Sequence, residues 1–168
     1  PFFGTYSIPI DNPISSNGVE LGRMLFYEKK LSGDNTMSCA TCHKQEFAFT
    51  DGNATSEGID GFFGKRSTMS IQNTLWDEFF FWDGRSPTLE EQALKPIENP
   101  IELHQTLENA VSKLENAKGY SKKFKDAFGT NEINSDRIAK ALAQFERTLI
   151  SSNSRFDQFL RGEVEFTD

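Results

Sequence analysis

The sequence of 168 residues predicts a mainly α fold, built of helices joined by long loops. Apolar residues recur at helical spacing in several segments. No segment alternates strictly between apolar and polar residues over the length of a strand. The stretch from 50 to 70 contains four glycines and lacks periodicity, which is typical of a long functional loop. This length suits one domain, residues 1–168, with a core of its own.

The first third of the chain is expected to contain one helix. Residues 1–18, which include Pro9 and Pro13, are predicted to form an irregular N-terminal arm. Helical periodicity begins near Val19, and Gly33 should close that segment.

Further helices are predicted after the glycine-rich stretch. Thr88 has the position of an N-cap, and Pro96 should end the helix that follows it. Three later segments should bury apolar faces, namely Leu103, Leu107, Val111 and Leu114; Tyr120, Phe124, Ala127 and Phe128; and Ile138, Leu142, Phe145 and Leu149. Residues 155–168 are expected to form one more helical turn and the start of a linker to a second domain.

Cys39, Cys42 and His43 form a Cys-x-x-Cys-His pattern, which is typical of covalent haem attachment. Two thiols three positions apart on a helical turn can reach both vinyl groups of one porphyrin, and the next imidazole can ligate the iron from the proximal side. These are the only two cysteines of the chain, so no disulfide competes for them. The pattern predicts a c-type cytochrome domain with one covalent haem c and His43 as the proximal iron ligand.

Two other interpretations of the cysteine pair are less favoured. A thioredoxin-like pair needs a βαβ frame, which the periodicity does not predict. A structural zinc site needs four ligands. His104 is the only other histidine, so a zinc site would have to recruit carboxylates.

The sixth iron ligand distinguishes an electron carrier from a catalyst. Electron carriers usually fill this position with Met or His, whereas a catalyst keeps it open or displaceable. Met69 and His104 are the downstream candidates. Core packing for Met69 and a place at the start of a helix for His104 are the simpler interpretations, so the sequence favours an open distal site.

Composition restricts the location and the partners. The formal net charge of -7 argues against binding of nucleic acid. No run of about 18 apolar residues is present, so no membrane span is expected. The chain opens without Met or a basic segment, from which we expect a processed product. Covalent haem attachment implies the periplasm or the cell-surface side of a membrane.

Eight segments resemble, in order and over nearly the whole chain, the N-terminal, peroxidatic-haem domain of the bacterial di-haem cytochrome c peroxidases. They are residues 21–27, 31–34, 38–43, 47–52, 81–85, 89–93, 96–103 and 141–149. The combination is far more specific than the haem pattern alone. The resemblance implies a domain that reduces hydrogen peroxide. It also implies a second haem domain, absent from this chain, which accepts electrons from a small cytochrome or copper protein.

The resemblance also implies roles for four residues. By position, Glu102 matches the family's distal acid–base carboxylate, and Gln92 matches a distal amide that helps to orient peroxide. Phe81 matches a residue that lines the pocket, and Trp82 matches an aromatic on the path between the two haems. The types suit the reaction, because a carboxylate can move a proton between the peroxide oxygens and an amide can donate a hydrogen bond. Without the resemblance, Glu102 would be interpreted as a solvated carboxylate in the first turn of a helix.

Two features depart from the family pattern. Many members carry a displaceable histidine ligand in the glycine-rich loop, whereas residues 58–64 contain none and the matching position is about Ile59. In addition, no second haem pattern precedes the end at Asp168. The second domain could have been cleaved, could be a separate polypeptide or could never have existed.

Two alternative functions therefore stay open. One is electron transfer by a cytochrome with a filled sixth position, and the other is oxidation of an organic or protein substrate. Calcium binding is compatible with the sequence but is not supported by it.

Overall fold

The helices Ser16–Phe26 (α1) and Ser135–Glu146 (α6) lie against each other and form the centre of the fold. A computed structural model describes residues 4–165. Two glycines of α1 permit the close contact. A Cβ atom on Gly22 would lie 1.9 Å from the carbonyl oxygen of Ala141, and one on Gly18 would lie 2.0 Å from Oε1 of Gln144. The two helices therefore approach more closely than larger side chains would allow.

Five further helices occur within residues 4–165: Cys39–Cys42 (α2), Leu89–Glu98 (α3), Leu107–Glu115 (α4), Tyr120–Phe128 (α5) and Arg155–Leu160 (α7). Short 3-10 turns occur at Lys29–Leu31, Gln45–Phe47, Ile59–Gly61 and Thr74–Trp76. The same residues contain isolated β-bridges but no strand. The predicted mainly α class is therefore confirmed. In this described part, no helix is both long and apolar enough to span a membrane.

Side-chain caps fix where several helices begin. Ser15 accepts a hydrogen bond from the amide of Gly18, so α1 starts at Ser16, three residues before the predicted start. Residues 16–18 are therefore helical and do not belong to the irregular arm, of which residues 1–3 lie outside the described residues. Thr88 caps α3 as predicted, by accepting from the amide of Glu91.

Two predicted boundaries between α3 and α4 are wrong. Pro96 does not end α3, because the helix continues to Glu98. A proline in the last turn removes only one backbone hydrogen bond, and the amide of Asn99 still donates to the carbonyl of Lys95 at 3.0 Å. Leu103 is buried but lies in the turn before α4, which begins at Leu107.

A buried polar cluster ties the N-terminal arm to α3 and α6. Asn12 donates to Oε1 of Glu90 at 2.6 Å and to the carbonyl of Lys140 at 3.1 Å. It accepts a hydrogen bond from Nε2 of Gln144 at 2.8 Å. Arg147 donates from Nη1 and Nη2 to the two carboxylate oxygens of Glu90, at 2.7 and 3.0 Å. These hydrogen bonds satisfy polar groups whose burial without a partner would be unfavourable.

The end of the described chain is helical, as the sequence predicted. The residues Arg155–Leu160 form α7, whose N-cap Ser154 accepts from the amide of Asp157. Residues 166–168 of the expected linker lie outside the described residues. Whether a linker to a second domain follows stays a prediction.

Candidate cofactor site

A cavity of about 490 Å³ lies between α2, the glycine-rich loop, residues 79–85 and α3. Its size falls in the range of small-molecule and cofactor sites. All seven site residues that the sequence predicted line it, namely Cys39, Cys42, His43, Phe81, Trp82, Gln92 and Glu102. Apolar lining comes from buried residues that include Phe26, Ile71, Phe80, Leu89 and Leu103.

The short helix α2 holds the two cysteines one turn apart. The amide of Ser38 donates to Oγ1 of Thr41 at 3.0 Å, and the amide of His43 donates to the carbonyl of Cys39 at 2.9 Å. Both thiols are free and half-buried. This helical turn presents the two thiols and the imidazole to one cavity, as the attachment pattern requires.

The electrostatics of the thiols differ from those of a thioredoxin-like pair. Burial, with a further contribution from the carboxylate of Glu146, raises the pKa of the Cys39 thiol to about 12. Burial and the charge of Asp51 raise the pKa of the Cys42 thiol to about 11. Reactive cysteine pairs instead have thiols of lowered pKa, which favours the nucleophilic thiolate.

His43 has the hydrogen bond that a metal-ligating histidine needs. Its Nδ1 lies 2.9 Å from the carbonyl oxygen of Phe49, which accepts a hydrogen bond when Nδ1 carries the proton. In that tautomer Nε2 keeps the lone pair that ligates a metal. Burial lowers the pKa of His43 and so favours the neutral ring, although the carbonyl of Phe49 opposes this effect.

Glu102 lies in the turn between α3 and α4, not in the first turn of a helix. Its Oε1 accepts a hydrogen bond from Nδ2 of Asn99 at 2.9 Å. Burial raises the pKa of the Glu102 carboxyl, while Arg85 and Asn99 partly offset that effect. The side chain is half-buried and lines the cavity, so it is not a freely solvated carboxylate.

Two glycines from distant segments hold this turn in place. A Cβ atom on Gly58 would lie 1.7 Å from the carbonyl oxygen of Ile101, and one on Gly33 would lie 2.5 Å from that of His104. The amide of Ile59 donates to the carbonyl of Glu102 at 2.9 Å. The backbone around Glu102 is therefore enclosed by chain segments that carry no side chain at the point of contact.

Residues 80–86 form a tight loop at the mouth of the cavity. Phe81 has a φ of 67°, a conformation that is uncommon for a bulky residue. The guanidinium carbon of Arg85 lies 3.5 Å from the centroid of the Phe81 ring. Asp83 accepts hydrogen bonds from Arg66 and Arg85, each at 2.8 Å, and these two bonds lower its pKa to about 2. Trp82 is 59% exposed and donates from Nε1 to the carbonyl of Ser67.

The two candidates for a sixth ligand occupy different places. Met69 lines the cavity and is half-buried. His104 has an exposed side chain 3.9 Å from Oδ2 of Asp60 and does not line the cavity. Ile59, at the position where the family often has histidine, is buried away from the cavity lining.

Sequence reasoning missed seven charged residues of this site. Three are basic, namely Lys65, Arg66 and Arg85, and four are acidic, namely Glu57, Asp77, Asp83 and Glu146. In a chain with a net charge of -7, the three basic side chains that share this cavity could be recognised only once the fold was known. The one sequence signal was that Asp83, Arg85 and Glu146 lie inside segments of the family resemblance.

Comparisons with known proteins give one consistent result. Residues 16–165 match the family model described as di-haem cytochrome c peroxidase. The chain is 37% identical to the methylamine utilization protein MauG of Methylophilus methylotrophus, over 94% of this chain and 47% of that protein. It is 38% identical to a cytochrome c551 peroxidase of Nitrosomonas europaea, over 90% of this chain and 45% of that protein.

A solved structure is similar to this chain as well. The crystal structure of a MauG-like protein associated with microbial copper homeostasis superimposes with a TM-score of 0.92 at 36% identity, over 100% of this chain and 51% of that one. The chain therefore spans about half the length of the relatives it matches.

Proposed function

We propose that this chain, which belongs to the di-haem cytochrome c peroxidase family, is a periplasmic haem domain that reduces hydrogen peroxide to water. The electrons would come from a second haem or from a small cytochrome or copper protein. One observation carries the proposal: the cavity that contains the attachment motif is also lined by Glu102 and Gln92. A haem bound there would supply the iron that passes electrons to peroxide.

The residues of the cavity fit a covalent haem. Cys39 and Cys42 would form the two thioether bonds, and His43 would ligate the iron from the proximal side. The apolar lining suits the faces of a porphyrin. Arg66 and Arg85 line the cavity with half-exposed side chains, and in addition to Asp83 they would meet the propionate groups, since guanidinium pairs well with carboxylate.

Glu102 would move the proton on which cleavage of the peroxide depends. In the overall reaction, hydrogen peroxide takes up two electrons and two protons and gives two molecules of water. Glu102 accepts a proton from one peroxide oxygen and returns it to the departing oxygen. Its raised pKa brings it closer to neutral pH, where accepting and returning a proton are both favourable. Gln92 donates a hydrogen bond that orients the peroxide without taking up a proton.

The test is the stopped-flow reaction of the haem-loaded protein with peroxide. Glu102→Gln should keep the haem but slow the reaction by roughly 10²–10⁴-fold, the usual range for a lost acid–base group. Gln92→Ala should cost less, because the amide carries no proton for transfer. Glu98→Gln, an exposed carboxylate at the end of α3, is the matched control and should react like the parent. Equal rates for Glu102→Gln and the parent would refute the assigned role.

A second candidate is oxidation of an organic or protein substrate at the same cavity. The observation that favours it is that the chain is about as similar to a methylamine utilization protein as to a peroxidase, at 37% and 38% identity. The ratio of donor oxidised to peroxide consumed distinguishes the two candidate functions. Peroxide reduction oxidises two equivalents of a one-electron donor per peroxide, whereas peroxide consumption without matching donor oxidation favours the second candidate.

The electron-carrier alternative depends on the sixth ligand. Met69 is the candidate because it lines the cavity. A low-spin visible spectrum of the oxidised protein that becomes high-spin in Met69→Ala would favour an electron carrier. A high-spin spectrum of the parent, with ready binding of cyanide, agrees with peroxide reduction.

A further inference from the structure

Glu146 is a buried carboxyl that the proposed reaction does not use. The residue is 5% exposed, and its Oε2 has no hydrogen-bond partner among residues 4–165. It nevertheless lines the same cavity as Cys39 and Glu102. A carboxyl that is buried without a partner is stable only if it keeps its proton or if its charge is compensated.

The neighbouring arginine compensates the charge of Glu146 only in part. Both terminal nitrogens of Arg147 donate to Glu90, at 2.7 and 3.0 Å, so this guanidinium already has a carboxylate partner. Glu146 is also the last residue of α6, where the helix dipole disfavours a negative charge. Burial raises the pKa of Glu146 to about 8, with Glu90 adding to the shift and Arg147 opposing it.

The location of Glu146 links it to the cofactor. Its charge is close enough to the thiol of Cys39 to raise the pKa of that thiol. Because Cys39 is an attachment residue, the edge of a porphyrin bound through it would lie beside Glu146. An electron added to such a group makes the surroundings more negative and therefore favours the neutral carboxylic acid.

We infer that Glu146 is a proton-holding residue whose protonation is coupled to the electron on the haem. Near pH 8, where part of the Glu146 population is ionised, the carboxylate would take up one proton from solvent when the haem accepts one electron from its donor. When the electron leaves, the proton returns to solvent, and no other bond forms or breaks. The inference rests on the proposed function only in requiring a haem in this cavity.

Other groups near Glu146 are accounted for by the geometry. Arg147 and Glu90 form a pair with each other. Cys39 no longer ionises once it is a thioether. The other acids of the cavity are Glu57, Asp77, Asp83 and Glu102. Asp83 stays ionised between its two arginines, whereas burial raises the pKa of Asp77 and of Glu102. Asp77 and Glu102 therefore have to be distinguished from Glu146 by experiment.

The experiment is a redox titration of the haem-loaded protein at a series of pH values around 8, monitored by the visible spectrum. In the parent, the equilibrium constant for reduction should fall as pH rises, by up to about tenfold per pH unit when one proton accompanies one electron. Glu146→Gln keeps the shape of the side chain and should remove this dependence near pH 8. Glu102→Gln and Asp77→Asn should retain it.

A second measurement is the infrared difference spectrum between the reduced and oxidised protein at a pH just above 8, where part of the Glu146 population is ionised in the oxidised parent. The parent should gain the carbonyl band of a protonated carboxylic acid on reduction, Glu102→Gln and Asp77→Asn should keep that band, and Glu146→Gln should lose it. If Glu146→Gln loses its haem, Glu146→Asp takes its place and should shift the band. Absence of the band in the parent, or an unshifted band in the variant, overturns the inference. Full retention of the pH dependence in Glu146→Gln overturns it too. Neither measurement uses peroxide, so the result is independent of the test of Glu102.

Discussion

The helix pair α1–α6 and the segment from 44 to 86 build the same cavity in different ways. The helix pair has a close backbone contact and core residues such as Leu21 and Leu142 with no exposed surface. Residues 44–86 have only short turns and bridges, and they expose large apolar side chains, including Phe62, Phe79 and Trp82. One wall of the cavity, the helix pair, is therefore fixed by its own core. In the other wall, residues 44–86, a few side chains such as Phe49 and Ile71 join that core, whereas the exposed ones should depend on what fills the cavity.

The dependence of residues 44–86 on the cofactor is tested most directly by preventing haem attachment. In Cys39→Ser with Cys42→Ser, haem retained through denaturing electrophoresis should fall to background. Amide hydrogen exchange should then quicken strongly in residues 44–86 and little in α1 and α6, because only the former region depends on the cofactor for packing. An equal loss of protection in both regions would contradict the comparison.

A substitution of Phe26 tests whether its ring joins the helix pair α1–α6 to residues 44–86. Phe26 has no exposed surface, and its ring centroid lies 5.3 Å from that of Phe145 in α6 and 6.3 Å from that of Phe49 in the segment. Phe26→Ala should lower the free energy of unfolding by about 3–5 kcal/mol, measured by denaturant titration. Ile10→Ala, at a site that is 99% exposed, is the control and should stay within about 0.5 kcal/mol. A loss below about 1 kcal/mol at Phe26 would show that the two walls are not coupled through this ring.

A substitution of Gly58 tests the contact between the segment 44–86 and the Glu102 turn. Gly58→Ala would bring a Cβ atom to 1.7 Å from the carbonyl oxygen of Ile101, so the turn has to move. We expect a loss of about 1–3 kcal/mol in unfolding free energy and a slower peroxide reaction. Gly64→Ala, in the same loop with no atom closer than 3.6 Å, should change neither quantity appreciably. Parent-like values for Gly58→Ala would mean that the turn adjusts freely.

The smallest expected effect concerns α3, which borders both regions and carries Gln92. Its N-cap Thr88 accepts from the amide of Glu91 at 3.1 Å. Thr88→Ala should cost about 1 kcal/mol in unfolding free energy, whereas Thr88→Ser should restore most of it. Equal stability of the alanine and serine variants would show that the cap does not hold this helix.

The helices were predictable because their signals are local. Apolar periodicity and caps such as Thr88 and Asn134 act within a few residues. The prediction failed where a tertiary contact decides, as at Leu103, whose carbonyl accepts a hydrogen bond from the amide of Gly33 instead of belonging to a helix. It also failed to allow a proline in a last helical turn.

The site was predictable to a similar extent. The spacing of Cys39, Cys42 and His43 requires only one helical turn, and the family resemblance added the four residues that share their cavity. Glu146 lies inside a segment of the resemblance, but its burial without a hydrogen-bond partner at Oε2 could not be predicted in this way. Its unpaired state depends on the preference of Arg147 for Glu90, which lies 57 positions away along the chain. Local sequence patterns do not indicate with which carboxylate an arginine pairs.

The close approach of Gly33 and Gly58 to the Glu102 turn limits how the position of this carboxyl could be transferred to another protein. Grafting a glutamate onto another cytochrome, with or without the adjoining turn, would not reproduce its position. That position also requires two loops that approach the turn without side chains, one 69 and the other 44 residues earlier in the chain. A designer who wishes to move the carboxyl would have to carry over three separate pieces of backbone. In a homologue in which either glycine is replaced, the turn would need a different backbone conformation to place the carboxyl at the same position.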